Sequence, residues 1–416
     1  MKRRVLIYAH YYAPDVASTG QILQDIAEGM LDDFEVTVIC VVPSYTGVIH
    51  EKYKKRKYFF EKLNGVNVVR VRVPEFSKEN KLSRIKNILT YFYLGVLATR
   101  KIGEQDVVFS ISQPPILGGI LGLFGSWLKR AKYIYNIQDF NPEQIMSVGY
   151  SNNNIFLKLA MSLDKFTCRH ADMVITVGRD LVETLKKRFA NKDVPRYAMI
   201  NNWIDEQNVY PLSRKNVNVL AFKKKYGLEG KFVVMYSGNI GLYYDLEGLM
   251  RVIYEFKPGT TMYDGREVIF AFVGAGTILN KLKEYVKENK MRNVCFIPYQ
   301  DKSKLIYSLN AGDVHLCVNA RGIKGVSCPS KAYGIMAVGK PIIGVLEAGT
   351  EIRSIIDESG CGKCCEPGDY EKIKKIIQWY IENDSAEMGE RGRLILEKRL
   401  TKNRSVKEYI NIIKGL

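Results

Sequence analysis

Residues 321–341, RGIKGVSCPSKAYGIMAVGKP, hold the residue types best suited to gripping an anion. Pro329-Ser330-Lys331 ends a polar loop and opens an apolar helical run through Ala332, Ile335, Met336 and Ala337. Proline suits the first position of a helix and glycine its end, so Gly339-Lys340-Pro341 marks the stop, with a strand over Ile342–Leu346 beyond it. Pro329, Ser330 and Lys331 are thus expected at the mouth of a short helix. N–H groups without helical acceptors and the positive end of the dipole favour a phosphate there. The Lys331 ammonium adds a point charge. Fixed cations and N–H donors in such a place stabilise the charge that develops on a departing diphosphate.

Other residues could join this chemistry. Ser237-Gly238-Asn239-Ile240-Gly241 follows a strongly apolar strand pattern, and its glycines let backbone approach a ligand closely. A plain strand-to-helix turn would also favour Gly and Asn. Gly274-Ala275-Gly276 follows the next strand; without a third glycine it is weak evidence of a dinucleotide site. Tyr299, just after Val294–Pro298, is placed to meet a base or to cap the strand. Asp139, in Ile137-Gln-Asp-Phe-Asn-Pro-Glu143, ends an inner strand and could orient a hydroxyl or take its proton, with Glu143 second. Helix capping is the plainer role for Asp139. His10, at the end of the first strand, is a lesser candidate. His50, His170 and His315 have no triad-like partners. No Asp-x-Asp ends a strand, so no divalent metal and no cofactor is expected.

The elements that must position these groups alternate strand and helix. Strands are expected at Arg4–Tyr8, Glu35–Val41, Val66–Val73, Asp106–Ser110, Lys132–Ile137 and Met173–Val177. A long loop over Tyr11–Gly20 precedes a helix over Gln21–Leu31. Further helices are read at Lys86–Lys101, Leu117–Lys129, Asn154–Arg169 and Arg179–Phe189. The pattern restarts with strands at Lys231–Tyr236, Val268–Val273, Val294–Pro298, Asp313–Cys317 and Pro341–Leu346, and Glu371–Leu416 reads as helical. Apolar strands alternating with helices make parallel sheets covered on both faces. This is an α/β chain of two doubly wound halves, joined through a polar stretch near 203–228. Ligands of such sheets sit beyond the carboxyl ends of the strands, and two halves would share a central cleft.

Gly20, Asn201-Asn202-Trp203-Ile204-Asp205, Tyr236-Ser-Gly-Asn-Ile-Gly241, Val273-Gly-Ala-Gly276 and Pro329-Ser-Lys-Ala-Tyr occur in that order along nearly the whole chain. Together they resemble retaining GT-B glycosyltransferases of family 4, in the bacterial branch that adds amino sugars to O-antigen, capsule or colanic-acid type chains. The resemblance implies two Rossmann-like domains facing a central cleft. Residues 1–205 would bind the acceptor, 206–395 the nucleotide-sugar, and a helix at about 396–416 would cross back onto the first domain. It implies transfer of a sugar, an N-acetylamino sugar by the branch, from a UDP-linked donor to a lipid-linked glycan with retention. Gly20, Gly238, Asn239, Gly241, Gly274, Gly276, Tyr299, Pro329, Ser330 and Lys331 would hold the donor.

Two departures from the family pattern matter. Many members carry Glu-x7-Glu on the loop and helix around Lys331, and here those positions are Val326 and Gly334. The ribose would fall to Glu347 or Glu351. Relatives also place Arg or Lys after the first glycine loop, where this chain has Leu242-Tyr243-Tyr244, so Lys331 would carry the phosphates with Arg321 and Lys324 helping. A UDP-sugar 2-epimerase of the same fold is a rival reading, though few cleft carboxylates and histidines are available for it. A catalytically silent GT-B partner subunit is another.

The 416 residues, 46% apolar, are enough for two domains with full cores. The net charge is +18, and residues 52–101 alone carry 14 Lys/Arg against 3 Asp/Glu. Lys54-Lys-Arg-Lys57 adjoins Tyr58-Phe59-Phe60, and Tyr91-Phe92-Tyr93 share a helical stretch with Arg84, Lys86, Arg100 and Lys101. Basic residues among aromatics suit an anionic membrane surface, where a lipid-linked acceptor would be met. No nucleic-acid motif accompanies the charge. The longest apolar block, Ile116–Leu128, is too short to span a bilayer, contains four glycines and reads as a buried or interfacial helix. The eight cysteines sit mostly in apolar runs, as reduced core thiols do; Cys361-Gly-Lys-Cys364-Cys365 lacks a second pair to complete a zinc site. The expected location is cytoplasmic, peripheral on the inner face of the plasma membrane.

Overall fold

The computed structural model describes residues 2–15, 17–77, 80–147 and 154–416. The chain divides into two compact units, one of Met1–Asn201 with Asn403–Leu416 and one of Asn202–Lys402. The sequence places these limits at 205/206 and 395/396.

In unit one, β1 (Arg3–Tyr8), β2 (Phe34–Val41), β3 (Tyr58–Leu63), β4 (Val66–Val71), β5 (Val107–Ile111), β6 (Lys132–Ile137), β7 (Met173–Thr176) and β8 (Tyr197–Met199) form one sheet. Its order is β3-β4-β2-β1-β5-β6-β7-β8, parallel except for the β3–β4 hairpin. Covering it are α1 (Ser18–Gly29), α2 (Lys81–Lys101), α3 (Leu117–Lys129), α4 (Glu143–Ser147), α5 (Asn154–His170) and α6 (Arg179–Arg188).

Unit two has β9 (Phe232–Ser237), β10 (Val268–Val273), β11 (Val294–Ile297), β12 (Val314–Val318), β13 (Ile342–Val345) and β14 (Gly362–Cys365). They pair in the order β11-β10-β9-β12-β13-β14, all parallel. The helices are α7 (Val217–Lys225), α8 (Leu246–Tyr254), α9 (Leu279–Glu288), α10 (Leu305–Ala311), α11 (Lys331–Ala337), α12 (Glu351–Ser359), α13 (Tyr370–Glu382) and α14 (Ala386–Arg399). The last helix, α15 (Lys402–Lys414), belongs from Asn403 onward to unit one, where Tyr409 OH accepts a 2.7 Å bond from Asn136 Nδ2 of β6.

Strand periodicity explains the layering. Phe232, Val234 and Tyr236 enter one core with Leu249 and Ile253 of α8, whereas Val233 and Met235 enter another with Val219 and Phe222 of α7. Successive side chains of β9 thus feed opposite faces of one sheet, as a strand covered on both sides requires. Chain order reverses between β9 and β12, the switch point at which doubly wound sheets open a ligand crevice.

Two local readings change. Helix α1 starts at Ser18, so Gly20 is a buried helical residue and not the end of a loop. A Cβ on Gly20 would stand 2.8 Å from the Tyr11 carbonyl oxygen, and close helix-to-backbone approach is what demands glycine there. Strand β3 was unread; its signal was Asn64-Gly65, both at positive φ, the favoured hairpin turn. Cys361–Cys365 is largely edge strand β14 and its flank, and all eight cysteines are free thiols, five of them buried.

Candidate active site

The three segments singled out in unit two meet at the carboxyl ends of β9 and β10. Gly238 N–H bonds to Val273 O at 2.9 Å, Ile240 N–H to Ala275 O at 2.9 Å, and Gly274 N–H to Ile297 O at 2.9 Å. Glycine is what permits this. Gly274 has φ +147, and a Cβ there would lie 1.9 Å from Gly238 O; one on Gly276 would lie 2.0 Å from Ile240 O. Gly241 is buried, with the Asn239 side chain 3.0 Å from where its Cβ would be.

Lys331 opens α11 beside these loops. Its Nζ donates to Tyr236 OH at 3.0 Å, and Tyr236 OH donates to Asn239 O at 2.6 Å. The ammonium also lies 4.3 Å from the Tyr236 ring centroid and 3.9 Å from that of Tyr244. A Cβ on Gly238, whose φ is +150, would come within 3.8 Å of Nζ. Burial among the rings pushes the lysine down from 10.5 to about 8. No carboxylate pairs with it among the described residues. A half-buried cation held only by a hydroxyl and two π faces offers its charge to an incoming anion.

The helix mouth has the expected form. Ala332 N–H bonds to Pro329 O and Tyr333 N–H to Ser330 O, which leaves the N–H groups of Ser330 and Lys331 without an acceptor in that turn. Ser330 takes the N-cap position but makes no side-chain cap bond, and it is exposed. Tyr299 is 57% exposed beyond β11.

The helpers have other duties. Arg321 Nη2 donates to Pro367 O at 3.2 Å, and Lys324 Nζ donates to Ala348 O, so both brace neighbouring loops instead of reaching toward Lys331. Glu347 accepts the N–H groups of Gly322 at 2.9 Å and Lys324 at 3.0 Å, clamping the loop that leads to Pro329. Glu351 is 1% exposed at the start of α12. Val326 is buried, and a Cβ on Gly334 would already crowd Leu309 and Ile204 at 3.2 and 3.3 Å, so a glutamate has no room at Gly334.

In unit one, Asp139 follows β6 half-buried, with its N–H 3.3 Å from Ser112 Oγ. Glu143 is a different case. Arg188 grips it with Nε–H to Oε1 at 2.7 Å and Nη2–H to Oε2, and also binds Asp164 and the Asn141 carbonyl. Both Glu143 oxygens serve a buried ion-pair network, which removes it as the second choice for proton transfer. His10 is buried and pushed down to about 4 by desolvation, as is His315 in unit two. Neither is the exposed general base that a cleft histidine would be.

Sequence reasoning missed Tyr236 and Tyr244. The signal was present: an aromatic pair flanking a glycine loop. The basic stretch 52–101 also resolves into parts, with Lys78 and Glu79 outside the described residues. Arg70 is fully buried, donating to Glu61 Oε1 and Ala13 O at 2.6 Å each, and Lys54 pairs with Glu51 and Glu75. Lys81, Arg84, Lys86, Arg100 and Lys101 stand exposed on α2. No helix among the described residues is long and apolar enough to cross a membrane.

Residues 219–395 match the family model of glycosyl transferases group 1. Over 348 residues the chain is 28% identical to a protein of Pseudomonas aeruginosa named "Probable glycosyltransferase WbjE", covering 82% of this chain and 83% of that one. It is 24% identical to WcaI of Escherichia coli (strain K12), a protein named for glycosyl transfer in colanic acid biosynthesis, over 99% of this chain and 100% of that one. Among solved structures, Anabaena HepE in complex with UDP-glucose superposes with a TM-score of 0.70 at 15% identity, covering 99% of this chain and 100% of HepE.

Proposed function

We propose that the protein moves a sugar from UDP to a hydroxyl of a lipid-linked glycan, a reading supported by the match of residues 219–395 to the glycosyl transferases group 1 model and by the fold shared with HepE. The observation that carries this is the Lys331 ammonium, half-buried between Tyr236 and Tyr244 with no carboxylate partner, at the switch point of the second sheet. Gly274 and Gly276 let the two glycine loops pack against each other, and Gly238 lets the Lys331 ammonium come close to that wall.

In this reading Lys331, with the N–H groups of Ser330 and Lys331 after Pro329, takes the paired phosphates. As the glycosidic bond breaks, charge builds on the β-phosphate oxygens and the ammonium stabilises it more strongly than in the ground state. Asn239 and Gly241 shape the same wall, Tyr299 stacks on the base, and Glu347, less buried than Glu351, accepts from the ribose. Gly20, expected with the donor, and Asp139, which orients the accepting hydroxyl, both belong to unit one. The donor sugar is an N-acetylamino sugar transferred with retention and without a metal ion, and the product belongs to a surface polysaccharide. The name of WcaI, a colanic acid biosynthesis glycosyl transferase, supports that product class, and UDP-glucose in HepE supports the donor class.

The test is UDP release from a panel of UDP-sugars, with and without bacterial lipid-linked glycan extract. Release that depends on the extract is the predicted outcome. Sugar isomerisation without release identifies an epimerase, and neither reaction across the panel identifies a silent subunit; either contradicts the proposal.

A further inference from the structure

We propose that unit one docks on an anionic lipid surface through a face built by α2, α3 and α5. The inference rests on the lipid-linked acceptor for its purpose, and on the surface itself for its evidence.

Helix α5 exposes Ile155, Leu159, Leu163 and Phe166, spaced four, four and three residues apart, so they form a single stripe. Ile155 is 82% exposed. Helix α2 repeats the pattern with Leu82, Ile85, Leu89 and Tyr93. In a soluble helix these positions are the ones that turn polar. Between the two lies α3, whose glycines Gly118, Gly119, Gly122 and Gly125 are buried while Phe124, Trp127 and Leu128 are exposed. The ridge is continuous: ring centroids run Phe92 to Phe124 at 6.1 Å, Phe124 to Trp127 at 5.7 Å and Trp127 to Phe166 at 6.3 Å. Exposed apolar area joined across three helices marks a surface that is covered in use.

Charge decides what covers it. The three helices carry nine Lys/Arg and one acid, Asp164, which is buried against Arg188. A second copy seated by two-fold symmetry would face like charge with like. A surface of anionic phospholipid complements it: the aromatic rings settle at the headgroup level, and Arg84, Lys158 and Arg169 reach phosphates from the flanks. This face differs from the Lys54–Lys57 run, which lies beside the β3 hairpin.

The test is flotation of the full chain with vesicles of phosphatidylcholine alone and with a quarter of it replaced by phosphatidylglycerol. The chain should float with the anionic vesicles only, and less as salt rises. Ile155→Glu with Leu159→Glu, both exposed and outside the donor site, should cut the bound fraction roughly tenfold or more. UDP binding and the melting temperature of that variant should stay unchanged, which separates loss of the surface from loss of fold or of the proposed activity. Absence of flotation, equal flotation with both vesicles, undiminished flotation of the variant, or a dimer that the variant splits would each overturn the assignment.

Discussion

Lys331 Nζ stands 3.9 Å from the centroid of the Tyr244 ring, in the turn that follows Gly241. The ring holds the ammonium over its π face. Burial there lowers the lysine to about 8, so its proton is exchangeable in a range where an ordinary lysine is fully charged.

The pH dependence of UDP binding follows from this. The unfolded lysine titrates near 10.5 and the folded one near 8, so the ligand-free fold disfavours the charged form. A diphosphate needs the charged form. Affinity for UDP should be full below pH 8 and should fall as pH rises through it, while Lys331→Arg, which cannot lose its proton, should show a flat profile. Calorimetric titration across the range reads the effect.

The glycine contacts predict a second effect. Gly274→Ala puts a methyl 1.9 Å from Gly238 O at a φ of +147, so the two loops must separate. Thermal unfolding should show a loss of about 3 kcal/mol or more, from backbone strain and steric displacement together. Gly265→Ala, also at positive φ but with open space around its Cβ, should cost less and leave UDP binding intact.

Glu143 and Asp139 should separate cleanly. Glu143→Gln weakens a charge-assisted pair with Arg188 and should lower stability by about 2 kcal/mol with transfer retained. Arg188→Met leaves Asp164 buried without its cation and should cost about 3–5 kcal/mol. Asp139→Asn should do the reverse, slowing transfer with little change in melting.

Two histidines predict acid sensitivity in both units. His10 in unit one and His315 in unit two stay neutral in the fold down to about 4, against 6.5 unfolded. The unfolded chain therefore binds protons that the folded chain refuses. Stability from this source is complete above pH 6.5 and is lost as pH falls toward 4, at about 1.4 kcal/mol per pH unit per histidine. Replacing His315 by Gln should flatten the acid limb of unit two in melting curves.

Much of this was legible in the residues because repeated chemistry reports itself. The apolar strands, Val268–Val273 to the residue among them, and the Gly238 and Gly274 loops follow from local pattern. What escaped depended on contacts distant in sequence. Nothing near Lys331 says that Tyr236 lies 3.0 Å from its ammonium, since 95 residues separate them. Glu143 looked available because Arg188, 45 residues on, was not yet beside it. The apolar stripe of α5 reads as ordinary amphipathicity until the structure shows that its apolar side faces out. The Asn64-Gly65 hairpin, by contrast, was local and readable.

The central claim is that the Lys331 ammonium receives the diphosphate of a nucleotide-sugar. Titrating UDP into the wild-type chain and into Lys331→Met tests it most directly. The account predicts an unchanged or slightly higher melting temperature for the variant, because a desolvated charge is removed, and a UDP dissociation constant raised about ten- to a hundredfold. A dissociation constant equal to that of the wild type would contradict it.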